Sequence, residues 1–425
     1  MSEIPVAEIA YGRGKVSLCM DPALAQWQVI IPAFAPALPD PQKVFKANTR
    51  TPIGTPPLSD LVCAEDRVVI VTSDGTRPVP NQLLIPWLLE ELPCPADNIV
   101  VLLGNGTHRE NTAEEIETMF GPDLAHHIII ANHVADDPRR NEHVGITAAG
   151  RPVELDRIYT EADKRIAIGF IEPHFFAGFS GGAKAIIPGI ASTETIHAIH
   201  NTELIGHPQS DWGLLDENPL RRALEEGVAL CPPEFLVNVI LDHDQNITDV
   251  FCGDYIQAHR AGCAQAKAGA MTPVNRPFPI VITSNSGYPL DQNLYQTVKG
   301  MSAAARIVEP GGIIFVASEC ADGIPAGGQF AEIMQQGATP RDILDWISDQ
   351  KEVVPDQWQA QALACILDGC EVRILTDIPA GGVEACKIRK IDNLPAALEE
   401  ELTRRGPDTR VAIMPDGPLT IPYLA

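Results

Sequence analysis

The sequence predicts an α/β protein made of two α/β domains with largely parallel sheets and an active-site cleft between them. Short apolar runs rich in β-branched residues alternate with helical patterns, which is typical of parallel βαβ units. A stretch with three prolines and no periodicity, MTPVNRPFP at 271–279, interrupts this alternation. We therefore expect an N-terminal domain over residues 1–270, carrying cofactor-binding and histidine motifs, and a C-terminal domain over residues 277–425, contributing substrate-binding residues.

In the N-terminal domain the first predicted strand is RVVIVTS at 67–73, and the second is NIVVLLG at 98–104. A helix follows the second strand, with Asn111 or Thr112 as its N-cap and Gly121 as its end. Later segments continue the pattern with the helices NQLLIPWLLEEL and NPLRRALEEGVALC and the strands HHIIIANH, RIAIGFI and FLVNVILD.

In the C-terminal domain the alternation restarts with the strand IVITS at 280–284 and a helix near 292–307. The strand IIFVAS at 313–318 follows the turn EPGG. Several helices come next, together with the strands VRILTD and RVAIMPD.

Composition excludes several classes of protein. The net charge of −25 argues against a nucleic-acid partner, because phosphate binding needs a basic face. No run reaches the roughly 18 apolar residues of a membrane span, and the N-terminus lacks a signal pattern, so we expect a cytoplasmic enzyme without a membrane partner. The ten cysteines are scattered without a CxxC, which disfavours a disulfide framework, a zinc ribbon or an Fe–S cluster.

The segments richest in polar and glycine residues come directly after predicted strands. They are 74–80, 105–111 and 172–184 in the first domain, and 285–293 and 319–323 in the second. Ligands of open α/β sheets bind outside the carboxyl ends of the strands. We therefore expect these segments to converge on one cleft.

The segment at 74–80 has two readings. Asp74, Thr76 and Arg77 can form an ordinary turn, since Asp-Gly and proline favour turns. Alternatively, Arg77 holds a carboxylate or phosphate through both of its guanidinium nitrogens.

Two histidines follow predicted strands. His108 lies in the glycine-rich segment GNGTHR, and His174 lies between Pro173 and two phenylalanines whose rings can exclude water. A lone loop histidine is usually structural. Two in one cleft, each able to gain or lose a proton near neutral pH, suit a reaction that needs a base on either side of a carbon.

The stretch GFSGGAK at 178–184 is not a Walker A loop, because Ala185 stands where the magnesium-binding hydroxyl would be. Ser180, Gly181 and Gly182 can instead offer backbone N–H groups and a hydroxyl to one phosphate. Lys184 has three possible roles: phosphate counter-ion, covalent amine or solvated surface charge.

His197 and His200 lie three residues apart on a predicted helix, a spacing that permits metal ligation. No thiolate or carboxylate accompanies them, so a metal there would need ligands from elsewhere.

In the second domain Tyr295, Gln296 and Lys299 share a helical stripe directly after a strand-end loop. The stripe is either a solvent-facing surface or part of a site. Trp358, in the polar stretch DQWQAQ, is either a packing residue or part of a lid.

Four motifs together resemble the nickel-pincer lactate racemase family, a group of 2-hydroxyacid racemases and epimerases. They are DGTRP at 74–78, GTHR at 106–109, PHFFAGFSGGAK at 173–184 and YQTVKG at 295–300. The motifs occur in order and extend over most of the chain.

The resemblance implies a cofactor, a pyridinium mononucleotide with thioamide and thioacid groups that bind Ni(II) through sulfur, ring carbon and sulfur. Lys184 matches the lysine that can be joined to the thioamide, and His200 matches the protein ligand of the nickel. Ser180, Gly181 and Gly182 would take the nucleotide phosphate, with Asp74 and Thr76 nearby. Proteins that make and insert the cofactor are implied partners.

The resemblance also implies racemisation of a 2-hydroxyacid by proton-coupled hydride transfer. His108 and His174 match the two catalytic acid/base residues. Arg77, Gln296 and Lys299 would hold the substrate carboxylate, and Tyr295 and Trp358 would line the rest of the substrate site.

Two alternatives stay open. A nicotinamide-dependent hydroxyacid dehydrogenase or epimerase fits the α/β pattern, but the first strand is not followed by GxGxxG. A non-catalytic nickel- or nucleotide-binding protein would leave His108 and His174 without a purpose.

Overall fold

The computed structural model describes residues 4–325 and 328–425 and divides into two compact units. The N-terminal unit consists of Phe34–His200 and Gln209–Lys267. The C-terminal unit consists of the described residues up to Ala33, of Asn201–Pro208 and of those from Ala268 to Ala425.

The strands, in chain order, are β1 (Ile4–Tyr11), β2 (Gly14–Met20), β3 (Gln26–Val29), β4 (Val68–Ser73), β5 (Ile99–Gly104), β6 (Ile129–Asn132), β7 (Asn141–Ile146), β8 (Pro152–Asp156), β9 (Lys164–Phe170), β10 (Pro173–His174), β11 (Gly178–Phe179), β12 (Phe235–Leu241), β13 (Ile247–Gly253), β14 (Met271–Val274), β15 (Phe278–Ser284), β16 (Val308–Ala317), β17 (Glu371–Leu375), β18 (Arg389–Ile391), β19 (Arg410–Met414) and β20 (Ile421–Leu424).

The helices are α1 (Pro41–Arg50), α2 (Leu58–Leu61), α3 (Asn81–Glu91), α4 (Ala113–Phe120), α5 (Pro122–His127), α6 (Arg157–Thr160), α7 (Thr193–Ile199), α8 (Thr202–Ile205), α9 (Pro219–Val228), α10 (Gln257–Ala270), α11 (Leu294–Ala305), α12 (Phe330–Ile333), α13 (Pro340–Asp349), α14 (Gln357–Gly369), α15 (Ala380–Ala385) and α16 (Leu394–Arg405).

The N-terminal unit is built on a six-stranded sheet in the order β13-β12-β9-β4-β5-β6. Every neighbouring pair is parallel except β12 with β13, which is antiparallel. The first five residues of β4 are buried, as expected of a parallel strand covered on both faces. The carboxyl ends of β9, β4 and β5 therefore meet at one edge of the sheet, which is where the polar segments begin.

The C-terminal unit contains a second six-stranded sheet, in the order β18-β17-β16-β15-β19-β3, with all neighbours parallel. Leu18, Ile282, Phe315 and Leu398 are among the buried residues of its core. The predicted fold class, α/β with largely parallel sheets, is confirmed in both units.

The division of the chain differs from the predicted one near the N-terminus. β3 pairs with β19, from Gln26 opposite Arg410 to Val29 opposite Ile413, so it forms an edge of the C-terminal sheet. The N-terminal unit begins only at Phe34, whereas the sequence predicted a domain over 1–270. β3 is four residues long and mostly exposed, too short for its apolar pattern to show which sheet it would join.

The predicted ends of the helix that follows β5 are confirmed. Thr112 is the N-cap of α4, where its side chain accepts from the N–H of Glu115 and the Glu115 side chain accepts from the N–H of Thr112. Gly121 ends the helix with φ of 80°. Within the described part of the chain, no helix is long and apolar enough to cross a bilayer.

Replacing Leu18 by alanine tests the assignment of the first strands to the C-terminal core. Leu18 is fully buried in β2, so we expect Leu18→Ala to lower the free energy of unfolding by about 2–5 kcal/mol. Urea denaturation measures this change. Lys15→Ala, at an exposed position of the same strand, is the control, and an equal, small effect of both substitutions would contradict the assignment.

Candidate active site

Asp74 and His108 meet at the carboxyl ends of β4 and β5. Nδ1 of His108 lies 2.8 Å from Oδ2 of Asp74. The other carboxylate oxygen accepts from the Thr76 hydroxyl at 2.7 Å and from the Thr76 N–H at 3.3 Å. Asp74 is buried, whereas 53% of the His108 side chain is exposed. The sequence predicted Asp74 and Thr76 as cofactor contacts, which stays a prediction; in the structure Asp74 is bound to both Thr76 and His108.

These hydrogen bonds fix the charge of Asp74 and the proton position of His108. Burial alone would raise the pKa of the Asp74 carboxyl, but the hydrogen bonds from His108 and Thr76 outweigh burial and lower it. An ionised carboxylate only accepts, so Nδ1 of His108 must carry the proton. The lone pair of neutral His108 is then on Nε2, the nitrogen that can act as a base.

The segment that carries His108 is anchored on both sides. The Arg109 guanidinium donates to both carboxylate oxygens of Glu115, at 2.6 and 2.8 Å, and the Asn105 side chain donates to the Arg109 carbonyl. An open pocket of about 560 Å³ lies beside this segment, lined by Asp74, Thr76, His108 and Met119 among others. The histidine thus faces a space large enough for a small substrate.

Arg77 lies in the same post-strand segment as Asp74. Arg77 is exposed, and Nη1 of its guanidinium donates to the Thr76 carbonyl at 3.3 Å. The turn reading and the binding reading of 74–80 are therefore compatible, because the turn presents the guanidinium to solvent.

His174 is held in the opposite way to His108. Its Nδ1 accepts hydrogen bonds from the N–H of Phe176 at 3.2 Å and from the N–H of Ala177 at 3.3 Å. Because a backbone N–H only donates, Nδ1 carries the lone pair, and neutral His174 has its proton on Nε2. The rings of Phe175 and Phe176 lie beside the imidazole, with centroids at 5.1 and 6.2 Å.

The glycine loop after His174 differs from the predicted phosphate site. The N–H of Ser180 donates to the Glu172 carbonyl at 2.9 Å, and the N–H of Gly182 donates to Oδ1 of Asn238 at 3.0 Å. The Ser180 hydroxyl donates to the Phe170 carbonyl and accepts from the N–H of Glu172. These groups close the loop on itself and on β12, so the structure does not support Ser180 and Gly182 as phosphate donors. Gly181 has a positive φ of 71° at the turn between them.

Four buried polar residues hold this loop, and the sequence reading missed all of them. His259 donates through Nε2 to the Ser180 carbonyl at 2.8 Å. Asn218 and Arg221, at the start of α9, donate to carbonyls of Phe176, Ala177 and Phe179. Two signals were available: Asn238 is a polar residue inside the apolar strand FLVNVIL, and Asn218 stands before Pro219 at a helix start.

Lys184 and His200 lie near each other in the N-terminal unit. Nδ1 of His200 donates to the Ile196 carbonyl at 3.1 Å, which places the lone pair of the neutral ring on Nε2. Burial, and then the nearby ammonium of Lys184, lower the pKa of His200 to about 4. The imidazole is therefore neutral at physiological pH, the form in which histidine binds metals.

His197 and His200 do not form a metal site of their own. In the described residues, no group of three or more His, Cys, Asp or Glu side chains is placed to hold a metal ion. A metal at His200 would have to bring most of its ligands with it.

The predicted substrate residues of the second domain lie in the C-terminal unit. Tyr295, on α11, accepts a hydrogen bond from the Trp358 indole N–H at 2.9 Å, although 63 residues separate them. Lys299 donates to the Gln296 side chain at 2.7 Å. The structure thus groups these four residues in two pairs within one unit, while Arg77 belongs to the N-terminal unit.

The burial of His259 predicts a pH effect on stability. Burial and the charge of Arg221 lower its pKa from 6.5 to about 3, so the unfolded chain binds more protons between these values. His259 therefore contributes stability above pH 6.5 that is lost as the pH falls toward 3. We expect His259→Gln to lose less stability than the wild type between pH 6.5 and 4.5 in urea denaturation.

The exposed His243 provides the control for this measurement. His243→Gln should follow the wild-type curve across the same pH range. Parallel curves for the wild type and His259→Gln would contradict the effect.

Comparison with known proteins finds matches over most of the chain. Residues 11–213 match the family described as Lactate racemase N-terminal domain, and residues 274–421 match Lactate racemase C-terminal domain. The lactate racemase of Thermoanaerobacterium thermosaccharolyticum is 38% identical over 383 residues, covering 88% of this chain and 89% of the relative. That of Lactiplantibacillus plantarum is 35% identical over 381 residues, with the same coverage.

Solved structures agree. The lactate racemase apoprotein from T. thermosaccharolyticum superposes with a TM-score of 0.91 at 35% identity, covering 99% of this chain and 100% of the other. A protein from Thermotoga maritima, at 20% identity and a TM-score of 0.66, covering 91% and 99%, shares the fold. Two family domains, two relatives above 30% identity and one matching structure lead to one conclusion: the chain belongs to the lactate racemase family.

Proposed function

We propose that this protein is an isomerase that racemises a short-chain 2-hydroxyacid, lactate or a close relative. The opposite proton placement of His108 and His174 supports the proposal most directly. His108 offers a lone pair at Nε2, and His174 offers an N–H at Nε2. Such a pair can remove a hydroxyl proton on one side of a carbon and supply one on the other. Family membership and the names of the two relatives support lactate as the substrate.

His108 acts as the base toward one enantiomer. Its Nε2 would accept the substrate's hydroxyl proton, and the resulting imidazolium would be stabilised by the ionised Asp74 at 2.8 Å. Asp74 also keeps the ring in the orientation that points Nε2 away from the carboxylate.

His174 acts as the proton donor for the product. A neutral imidazole whose Nδ1 accepts backbone N–H groups can polarise a carbonyl through Nε2–H without first becoming an imidazolium. The phenyl rings beside it exclude water and strengthen that hydrogen bond. The reverse reaction begins with His108 protonated and Nε2 of His174 without its proton, and the proton moves the other way. Exchange of one proton with solvent at each ring restores the neutral pair after a turnover.

We propose a nickel-pincer nucleotide as the cofactor, and the residues at one end of the site fit it. The neutral imidazole of His200 would bind the nickel, and Lys184, close enough to lower the pKa of His200, would hold the pyridinium end. The absence of a protein metal cluster among the described residues fits a metal that arrives with its own sulfur and carbon ligands. When bound, this cofactor would take up the hydride from Cα and return it.

The remaining contacts are assigned on charge and position. The exposed Arg77 would hold the substrate carboxylate, because its planar guanidinium can bond both oxygens. Gln296, Lys299, Tyr295 and Trp358 stay predictions as substrate contacts. Of the three predicted phosphate contacts only Gly181 stays a proposal, since the N–H groups of Ser180 and Gly182 are already used. Cofactor-making and cofactor-inserting proteins are the expected partners.

The two alternative functions, a nicotinamide-dependent dehydrogenase and a non-catalytic nickel or nucleotide carrier, account for fewer of the observed contacts. A nicotinamide-dependent dehydrogenase needs one acid/base residue and gives no account of a second, oppositely protonated histidine. A nickel or nucleotide carrier gives no account of the Asp74–His108 pair.

Chiral chromatography tests the proposal. Protein produced together with the cofactor-making proteins should convert either enantiomer of lactate to a mixture without added nicotinamide. His108→Ala and His174→Ala should each lower the rate by about 10²- to 10⁴-fold, because each removes a general acid/base. A panel of 2-hydroxyacids assayed in the same way identifies the preferred substrate.

His243→Ala, at an exposed histidine, is the matched control and should keep the wild-type rate. Near-full activity of either active-site variant would contradict the two-histidine scheme. Conversion only with added nicotinamide would favour the dehydrogenase, and no conversion of any 2-hydroxyacid would favour the carrier.

A further inference from the structure

One peptide group after His174 is hydrogen-bonded at both ends. The carbonyl of Phe176 and the N–H of Ala177 belong to the same peptide. Its N–H donates to Nδ1 of His174 at 3.3 Å, and its carbonyl accepts from Nδ2 of Asn218 at 2.8 Å. Hydrogen bonds in such a chain polarise one another, so the Asn218 amide strengthens the donor that faces His174.

Asn218 is fixed in its orientation. It is the N-cap of α9 and fully buried, and its Oδ1 accepts from the N–H of Arg221 at 3.0 Å. Since only the oxygen can accept, the NH₂ group must face the loop, where it also donates to the Leu214 carbonyl at 3.2 Å. The cap and the contact to the Phe176 carbonyl therefore use the two ends of one side chain.

Arg221 donates to two further carbonyls of the same loop. It is fully buried; Nε donates to the Ala177 carbonyl at 3.0 Å and Nη2 donates to the Phe179 carbonyl. Nη1 has no hydrogen-bond partner among the described residues. A buried guanidinium costs free energy, and an apolar side chain of similar size would be a cheaper core residue. Its two contacts to backbone carbonyls fit a role in shaping the loop.

We propose that Asn218 and Arg221 are positioning residues that set the proton position of His174. They hold the peptides of the 174–179 loop so that two N–H groups point at Nδ1, which leaves the proton on Nε2. They act through the loop backbone. This inference rests on the proposed function only for its kinetic consequence, since the proton position of His174 is a property of the protein itself.

The direct test is ¹⁵N NMR of protein with ¹⁵N-labelled histidine rings. The His174 signals are assigned by their absence from the spectrum of His174→Gln. In the wild type, Nδ1 should resonate as an unprotonated nitrogen and Nε2 as a protonated one. A wild-type His174 that carries its proton on Nδ1 would overturn the inference whatever the variants do.

Two variants test the two positioning residues. Asn218→Asp keeps an oxygen for the α9 cap but replaces the donor to Phe176 by an acceptor. Arg221→Met keeps an unbranched side chain of similar reach, without a buried charge, and leaves the Ala177 and Phe179 carbonyls without their donors. The His174 signals of both variants should shift toward a mixture of the two tautomers.

Matched controls exist for both substitutions. Asn393→Asp changes the N-cap of α16, where the exposed Asn393 only accepts from the N–H of Ala396. Arg222→Met changes the exposed neighbour of Arg221 on α9. Neither control should alter the His174 signals or the racemisation rate.

In the racemisation assay with cofactor-loaded protein, Asn218→Asp and Arg221→Met should lower kcat by about 10- to 100-fold, a usual effect of losing a partner that orients an active-site group. KM should change by less than about threefold, because the substrate contacts stay in place. Unchanged His174 signals together with wild-type kcat in folded variants would overturn the inference and leave the proposed function standing. A wild type that racemises no 2-hydroxyacid would overturn the proposed function, while the NMR result would still decide the proton position.

Discussion

The site depends on how the buried loop between β9 and α7 satisfies its backbone hydrogen bonds. Residues 175–180 of this loop are buried, and side chains of α9 and α10 donate hydrogen bonds to its carbonyl groups. The buried backbone groups of this stretch need partners inside the protein, since an unpaired buried polar group costs about 1–3 kcal/mol. Asn238, His259, Asn218 and Arg221 supply those partners. Within this loop the N–H groups of Phe176 and Ala177 donate to Nδ1 of His174, which places the proton of the neutral ring on Nε2.

The same constraint explains the glycines of this loop. At Gly178, where φ is 76°, a Cβ would lie 1.8 Å from the Leu214 carbonyl oxygen, and at Gly182 it would collide with the His259 ring. These glycines permit close packing of the loop against its neighbours. Proton placement at His108 has a simpler origin, because a single buried carboxylate, Asp74, accepts from Nδ1. The two histidines thus reach complementary states by different means, one by a charge and one by neutral peptide groups.

Much of this arrangement was predictable from the sequence. The apolar runs gave β4, β5, β9 and β15 to within two residues, because buried parallel strands have an unmistakable composition. The rule that ligands bind at strand carboxyl ends brought Asp74 and His108 together correctly. Trp358 and Tyr295 were both singled out, and the structure pairs them.

The rest could not be predicted for physical reasons. β3 joins the C-terminal sheet through backbone hydrogen bonds to β19. Such bonds do not depend on side-chain type, so a four-residue sequence does not indicate which strand it will pair with. Ser180 and Gly182 have the composition of an anion site, yet their N–H groups donate to Glu172 and Asn238, partners that only tertiary structure reveals. Asn218 is recognisable as a cap before Pro219, but its second contact lies 42 residues away.

The central claim is that hydride leaves and returns to Cα while His108 and His174 handle only the hydroxyl proton. Racemisation of one lactate enantiomer in D₂O tests this claim, with ¹H NMR reporting the hydrogen on Cα and chiral chromatography reporting the enantiomers. We expect a racemic mixture that keeps protium at Cα, because the hydride does not exchange with solvent. Deuterium entering Cα in step with racemisation would show that a base removes the Cα proton, and would contradict the account.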